Sequence, residues 1–296
     1  MDIPKNLQTP DLTHPSEVRS LLLRMDFHPS RILGQNFLID RNILNILLDA
    51  AEIVPADSLL EVGPGLGVLT EALLARGAHL TAIEKDPRLA TWLRTRFAAV
   101  PNLTLIESDA LQCDWPALCP PSAPVKLVAN LPYAIAARLL VELTALPSPP
   151  RRMVVTVQRE VAARLAAAPA TADYGLLTIL LQRRYAVTTV KHISPTCFWP
   201  PPEVHSSISC LDLLPEPLGG PLDEPTFRRI LRLAFSQRRK TLARTLRPET
   251  ADPVAALQQA SLPPTARAEE LSPLQWARLV QILTSAPQPS GSSHAP

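Results

Sequence analysis

The fold of this chain is decided by the sequence LLEVGPGLGVLTEALL at residues 59–74. A short apolar run is followed by glycines at positions 63, 65 and 67, and then by apolar residues at helical spacing. Glycine allows the main chain to turn tightly and to approach a ligand closely. The stretch therefore predicts a strand, a ligand-binding turn and a helix, which together form one unit of an alternating α/β fold.

The same alternation continues along the chain. Apolar runs of strand length, with helical patterns between most of them, lie at residues 58–62, 80–83, 103–106, 125–129 and 153–158. Such alternation predicts a mainly parallel sheet that is covered by helices on both faces. Ligands bind such sheets at the carboxyl ends of the strands, so the residues that follow each strand are the candidate site residues.

Composition excludes several classes of protein. The chain has 296 residues, of which 46% are hydrophobic, enough for one large folded domain and a smaller one. No stretch approaches the roughly 20 apolar residues of a membrane span, and the start lacks the apolar run of a signal peptide. We therefore expect a cytoplasmic protein without membrane contact. The four cysteines form no Cys-x-x-Cys pair, so neither a metal site nor a disulfide framework is predicted.

Breaker residues divide the chain into domains. Proline and glycine at residues 214–221 are typical of a linker, and apolar residues at helical spacing follow it. We predict an N-terminal extension at residues 1–30, an α/β domain at 31–214, a small helical domain at 222–285 and a disordered tail at 286–296.

The helical domain begins with a basic segment. Residues 226–247 contain eight Lys and Arg residues and no acidic one, although the whole chain has a net charge of only +2. The densest group is Arg238, Arg239 and Lys240. A solvated helix face is the simpler interpretation, but such faces usually mix charges, so the segment favours a surface that binds a polyanion.

Polar residues at the ends of three predicted strands indicate a nucleoside site. Gly63 and Gly65 shape the first turn, and Glu84 ends the next strand about 20 residues on, where a carboxylate can bind ribose hydroxyls. The spacing G-x-G-x-G differs from the G-x-G-x-x-G of dinucleotide sites, and Asp109 follows a third strand, where it can bond an adenine amino group. These features favour S-adenosylmethionine over NAD. A strand-end turn at Asp109 and a helix-capping acid at Glu84 are the structural alternatives.

The tetrapeptide NLPY at residues 130–133 indicates methyl transfer to an amino nitrogen on a planar base. Such a nitrogen is a poor nucleophile because its lone pair is delocalised into the ring, so a site must accept its N–H bonds and hold it in line with the methyl group. The Asn130 side-chain oxygen and the carbonyl of Leu131 can do this, while Tyr133 can stack on the base. A strand that ends in an Asn-x-Pro turn is the structural alternative.

From about residue 31 to residue 246, these motifs resemble the KsgA-type rRNA adenine dimethyltransferases. The matching segments are GQNFL at 34–38, the glycine turn, Glu84, Asp109 with Ala110, NLPY at 130–133, VQREV at 157–161, FxPxPxV at 198–204 and QRRKTL at 237–242. The resemblance implies a Rossmann-like S-adenosylmethionine-dependent methyltransferase domain of the α/β class. The small C-terminal helical domain would then bind RNA, with Arg238, Arg239 and Lys240 as contacts.

The resemblance also implies residue roles. The cofactor-binding residues would be Asn36, Leu38, Gly63, Gly65, Glu84, Asp109 and Asn130. Asn130 and the carbonyl of Leu131 would accept hydrogen bonds from the target amine, with Tyr133 and Phe198 on either side of the base. As a bare sequence feature, Phe198 is more typical of a core. The chain departs from the family pattern at Glu203 and His205, and His205 is interpreted as structural.

The implied substrate is a pair of adjacent adenosines near the 3′ end of 16S rRNA in the small ribosomal subunit. Each would be methylated twice at the N6 amine by a monomeric enzyme, without a metal ion or a strong general base. Three alternatives remain: an enzyme that methylates large-subunit rRNA, a DNA adenine methyltransferase, and a ribosome assembly factor that does not depend on catalysis. A proline in place of Leu131 is more usual in the DNA enzymes, and intact Asn130 and Tyr133 argue against a purely structural role.

Overall fold

The computed structural model describes residues 10–30, 33–237 and 240–285. Its strands are β1 (Phe37–Leu38), β2 (Ser58–Val62), β3 (His79–Glu84), β4 (Leu103–Glu107), β5 (Val125–Asn130), β6 (Arg152–Gln158), β7 (Tyr185–Ile193), β8 (Phe198–Trp199) and β9 (Ser206–Leu213). Its helices are α1 (Pro15–Arg24), α2 (Arg41–Ala51), α3 (Val68–Leu74), α4 (Pro87–Arg96), α5 (Trp115–Leu118), α6 (Ala136–Thr144), α7 (Arg159–Leu165), α8 (Leu176–Gln182), α9 (Glu224–Phe235), α10 (Leu242–Thr245), α11 (Pro253–Gln259) and α12 (Pro273–Ser285).

The chain divides into two compact units. Unit 1 comprises Met1–Ala162 and Thr188–Leu213, and unit 2 comprises Ala163–Val187 and Leu214–Pro296. Unit 1 ends at Leu213, and residues 163–187 belong to unit 2, whereas the sequence-based division kept residues 31–214 in one domain. The helix α8 lies there, five of its residues are buried, and it packs on α9 and α12. Contacts between residues so distant in sequence leave no local signal, so the sequence assigned this segment to the α/β domain.

A mostly parallel sheet forms the centre of unit 1. The strand order is β4-β3-β2-β5-β6-β9-β7; neighbouring strands from β4 to β6 pair in parallel, and β9 pairs with β6 in antiparallel register. Along β5 and β6 nearly every residue is buried, which requires cover on both faces because successive side chains point to opposite faces. The predicted α/β fold and its five strands are confirmed, whereas β7 and β9 were not predicted.

The segment predicted as an N-terminal extension contributes to the core of unit 1. Helix α1 buries Val18, Leu21 and Leu22 in a hydrophobic cluster that also contains Phe37 and Trp92. The predicted tail at residues 286–296 lies outside the described residues. In the described part of the chain, no helix is both long enough and apolar enough to span a membrane, and His, Cys, Asp and Glu form no group that could hold a metal ion.

Candidate active site

A cleft of about 1100 Å³, including its open mouth, lies in unit 1 at the carboxyl ends of β2, β3, β4 and β5. This is the position at which parallel α/β sheets bind their ligands. The cleft is lined by every residue predicted to bind the cofactor: Asn36, Leu38, Gly63, Gly65, Glu84, Asp109 and Asn130. The fold therefore brings together side chains that are separated by up to 94 residues in sequence.

The glycine turn between β2 and α3 needs glycine for two reasons. Gly63 and Gly65 have φ angles of +70° and +60°, in the left-handed region that favours glycine. A Cβ atom on Gly63 would lie 3.2 Å from Cγ of Pro132, and one on Gly65 would lie 2.9 Å from Cδ1 of Phe37. The turn thus contacts both the tetrapeptide at residues 130–133 and the amino-terminal motif at residues 34–38.

Glu84 holds the glycine turn in place. Its side chain is 5% exposed, and its carboxylate accepts hydrogen bonds from the main-chain N–H groups of Gly65 at 3.1 Å and Asp86 at 2.8 Å. Burial raises the pKa of this carboxyl above its ordinary value, against the lowering effect of the two N–H donors. Glu84 therefore shapes the cleft as well as lining it.

Asp109 follows β4 and makes the strand-end turn that was considered as its structural alternative. Its carboxylate accepts from the N–H of Leu111 at 2.9 Å and from Nζ of Lys85 at 2.8 Å. The bond from Lys85 is the main reason that the pKa of Asp109 is lowered. Asp109 also lines the cleft, so the turn and the predicted binding position coexist.

A second buried carboxyl, Glu61, was not predicted. It lies in β2 just before the glycine turn, is 1% exposed, and accepts a hydrogen bond from the Thr70 hydroxyl at 2.7 Å. Burial, with a smaller contribution from Glu84, raises its pKa to about 8. An acidic residue inside an otherwise apolar strand was the sequence signal for this group.

Asn130, the last residue of β5, is oriented by the amino-terminal motif. Its side-chain Nδ2 donates to the main-chain carbonyl of Asn36 at 3.0 Å. Because the nitrogen end of the amide is used in this way, the oxygen end is left to accept hydrogen bonds from a ligand. The Asn36 side chain in turn donates to the carbonyl of Gly34 at 3.3 Å.

The amino-terminal motif is fixed from two sides. Strand β1 pairs with β8, so that Phe37 lies opposite Trp199 and Leu38 opposite Phe198. Gln35, which was not predicted as a site residue, donates to the Asp86 carboxylate at 2.8 Å and accepts from the N–H of Ser30 at 2.7 Å. The motif is thereby attached to the turn that follows Glu84.

The remaining predicted catalytic residues occupy different environments. Tyr133 is half-buried, and its hydroxyl lies 2.5 Å from the Ser206 hydroxyl; burial raises its pKa, so the phenol stays protonated. Leu131 is 1% exposed, and its N–H donates to the carbonyl of Thr156 at 3.2 Å. Phe198 is 1% exposed in the hydrophobic core that also contains Leu38, so its stacking on a base stays a prediction.

Lys240, the described member of the three predicted RNA contacts, belongs to unit 2. Arg238 and Arg239 are outside the described residues. Lys240 is exposed, and its main-chain N–H donates to the carbonyl of Gln237 at 2.8 Å. Its side chain is accessible to a polyanion.

Comparisons with known proteins agree with the predicted resemblance. The family model for ribosomal RNA adenine dimethylase matches residues 12–285. A ribosomal RNA small subunit methyltransferase A from Magnetococcus marinus is 38% identical over 279 residues, which cover 93% of this chain and 100% of the relative. Two solved structures are similar. The 23S rRNA methyltransferase ErmE has 29% identity and a TM-score of 0.64 and covers 84% of this chain and 100% of its own.

The second structure, a dimethyladenosine transferase from Plasmodium falciparum, has 24% identity and a TM-score of 0.72. It covers 84% of this chain and 97% of its own, and it supports the fold. The family model covers nearly all of the described residues, including both units and the complete cleft. This chain belongs to the ribosomal RNA adenine dimethylase family.

Proposed function

We propose that this protein uses S-adenosylmethionine to dimethylate the N6 amines of two adjacent adenosines near the 3′ end of 16S rRNA in the small ribosomal subunit, during ribosome biogenesis. The proposal rests mainly on one observation: the glycine turn and Asn130 line a single cleft in a chain of the rRNA adenine dimethylase family. The names of the curated relatives support small-subunit rRNA as the substrate.

The residues of the cleft fit S-adenosylmethionine. A Cβ atom at Gly63 or Gly65 would press against Pro132 or Phe37, so the turn requires glycine, and its bare main chain would lie next to the methionine end of the cofactor. Glu84 would accept hydrogen bonds from the ribose hydroxyls and Asp109 from the adenine amine, while Asn36 and Leu38 would cover the cofactor. When bound, the cofactor supplies an electrophilic methyl group on a sulfonium.

Asn130 would act on the nucleophile. Its free side-chain oxygen would accept an N–H of the target amine, and the carbonyl of Leu131 would accept the other, which directs the nitrogen lone pair at the methyl group. Positioning of this kind supports a direct in-line transfer. The nitrogen becomes acidic as it is alkylated and releases its proton to water, so a strong general base is not needed.

Tyr133 would hold the target base by stacking, and its bond to Ser206 would fix the ring. The corresponding role of Phe198 requires its buried ring to become accessible when RNA binds. On unit 2, Arg238, Arg239 and Lys240 would contact rRNA phosphates. We further propose that the protein acts in the cytoplasm as a monomer.

Mass spectrometry of rRNA from cells that lack the protein tests this function. The expected result is loss of dimethyladenosine from 16S rRNA, restored by the wild-type gene and not by Asn130→Ala. Loss of the modification from 23S rRNA would instead support the activity in the name of the structural neighbour ErmE. An assembly defect rescued equally by both genes would favour the assembly factor without catalysis.

A further inference from the structure

Unit 2 has a shallow surface groove that the proposed catalytic function does not use. It lies where α10, the turn after it and the start of α11 meet. The groove is lined by Thr241, Ala243, Arg244, Arg247, Thr250, Ala251, Pro253 and Val254. Two of the eight lining residues are cationic and none is acidic, so the groove has a positive potential.

The two arginines of the groove are available to a ligand. Arg244 and Arg247 are both exposed, and no described residue forms an ion pair with either. The two acids nearest in sequence are already engaged. Glu249 accepts from both terminal nitrogens of Arg229, and Asp252 caps α11 by accepting from the N–H of Ala255 at 2.9 Å.

The other groups in the groove also suit a phosphodiester. Thr250 accepts a hydrogen bond from the N–H of Asp252 at 3.4 Å, which leaves its own hydroxyl proton for a phosphate oxygen. Thr241 precedes α10 and makes no capping bond with its side chain. Val254, 39% exposed, gives the groove an apolar part against which a ribose can pack. Guanidinium and hydroxyl groups together are the usual donors to nucleic-acid phosphates.

We propose that this groove binds backbone phosphates of the rRNA substrate, through Arg244 and Arg247 with Thr241 and Thr250 as hydroxyl donors. This inference rests on the proposed function, to which it adds a second phosphate site on unit 2. The groove is lined by two arginines, two threonines and the apolar Val254, and Lys240 is not among its lining residues.

The test is the double variant Arg244→Gln, Arg247→Gln of the full-length protein. Its matched control is Arg164→Gln, Arg278→Gln, which removes the same charge from exposed positions of unit 2 outside the groove. Affinity for small ribosomal subunits that lack the modification is measured across a salt series. The plot of log affinity against log salt has a negative slope, and each lost phosphate contact makes it shallower by about 0.7 to 0.9. The slope of the groove variant, which loses two contacts, should therefore be shallower by about 1.5. Near physiological salt its affinity should fall on the order of tenfold.

The control variant should keep the wild-type slope, and both variants should bind S-adenosylhomocysteine normally. A groove variant with the wild-type slope overturns the proposal, and so does a control variant that loses as much, since the effect would then be that of net charge. Competition is measured by adding polyglutamate or an RNA homopolymer to the wild-type protein bound to small subunits. If polyglutamate displaces the subunits and the RNA homopolymer does not, the groove binds an acidic protein instead. Failure of the proposed function is seen separately, because the wild type would then transfer no methyl group to the subunits.

Discussion

The side-chain nitrogen of Asn130 donates a hydrogen bond to the main-chain carbonyl of Asn36 at 3.0 Å. This bond connects the end of β5 with a motif 94 residues earlier in the chain. It also determines the direction of the Asn130 amide, since a carbonyl oxygen accepts the nitrogen end only. The amino-terminal motif thus orients the group that we propose to act on the nucleophile.

Replacing Asn130 by alanine should nearly abolish methyl transfer and leave rRNA binding largely intact. Loss of one well-placed acceptor raises a barrier by about 3 kcal/mol, which is on the order of a hundredfold in rate. Single-turnover methyl incorporation into unmodified small subunits measures the rate, and a binding assay measures affinity. Asn102→Ala is the matched control, because Asn102 also donates to a main-chain carbonyl, that of Ala78, but does not line the cleft. An Asn130→Ala enzyme with more than half of the wild-type turnover would contradict the assignment.

Glu84→Ala should weaken cofactor binding. The substitution removes the acceptor proposed for the ribose hydroxyls and releases the N–H groups of Gly65 and Asp86. The expected loss is roughly 2 kcal/mol, or about thirtyfold in the dissociation constant. Calorimetric titration with S-adenosylhomocysteine measures it. Glu107→Ala is the control, since Glu107 lies opposite Glu84 on the neighbouring strand but is exposed. An unchanged constant for the Glu84 variant, or binding of NAD in place of the cofactor analogue, would favour the dinucleotide site.

The position of the residues proposed to bind the cofactor, together in one cleft, was predictable because most of them follow apolar strands. Gly63, Glu84, Asp109 and Asn130 each lie at the end of a strand whose apolar pattern is visible locally, and parallel topology gathers such ends at one edge. The five parallel strands, β2 to β6, were predicted for the same reason. Asn36 and Leu38 were identified through family resemblance, since nothing in their own spacing indicates a cofactor.

Features that depend on long-range packing were not predictable. Most residues of strand β7 are exposed, so β7 lacks the apolar run of a buried strand. Strand β9 belongs to the sheet through its antiparallel pairing with β6. The burial of Phe198 was expected from the sequence, but its partner was not, because the pairing of β8 with β1 connects segments about 160 residues apart. Likewise, residues 163–187 belong to unit 2 only through packing on helices that come much later in the chain.

Glu61→Gln should flatten the pH dependence of stability. The pKa of Glu61 is about 8 in the folded protein and about 4.3 in an unfolded chain, so the folded state retains a proton that the unfolded state has released. Stability must therefore fall as pH rises between about 5 and 8, by on the order of 4 kcal/mol. Glutamine is neutral throughout and still accepts from Thr70.

The free energy of unfolding by urea, measured for the cofactor-free protein at several pH values, checks this. The pKa of Glu84 is also raised by burial, so the Glu61→Gln variant should still lose some stability as pH rises. Parallel profiles for wild type and Glu61→Gln would mean that Glu61 is already ionised in the folded protein.

Replacing Arg238, Arg239 and Lys240 together by serine should reduce the salt dependence of subunit binding. Three lost phosphate contacts lower the slope of log affinity against log salt by about 2 to 2.7. Affinity for S-adenosylhomocysteine should not change, because the segment follows the linker at residues 214–221 and so lies outside the predicted α/β domain. If the slope equals that of the wild type while circular dichroism shows intact folding, these residues form only a solvated surface, and recognition depends on other parts of the protein.

Two substitutions at Tyr133 separate its ring from its hydroxyl. Tyr133→Phe keeps the ring but leaves the buried hydroxyl of Ser206 without this partner, so stability should fall by about 1 kcal/mol while methyl transfer stays within a few-fold. Tyr133→Ala removes the ring, and since stacking on a base contributes about 1–3 kcal/mol, methyl transfer should fall by tenfold or more. Single-turnover rates and urea unfolding measure the two effects.

Tyr174→Phe is the control for the hydroxyl. Tyr174 is buried in unit 2, and its hydroxyl donates to the carbonyl of Leu271 at 2.6 Å, so its loss should lower stability without changing the rate of transfer. If Tyr133→Phe is as slow as Tyr133→Ala, the hydroxyl bond to Ser206 and not the ring supports the reaction. If Tyr133→Ala transfers methyl groups at the wild-type rate, the base is held by other side chains. Phe198 would then be the first to replace, because the pairing of β8 with β1 places it opposite Leu38, which lines the cleft.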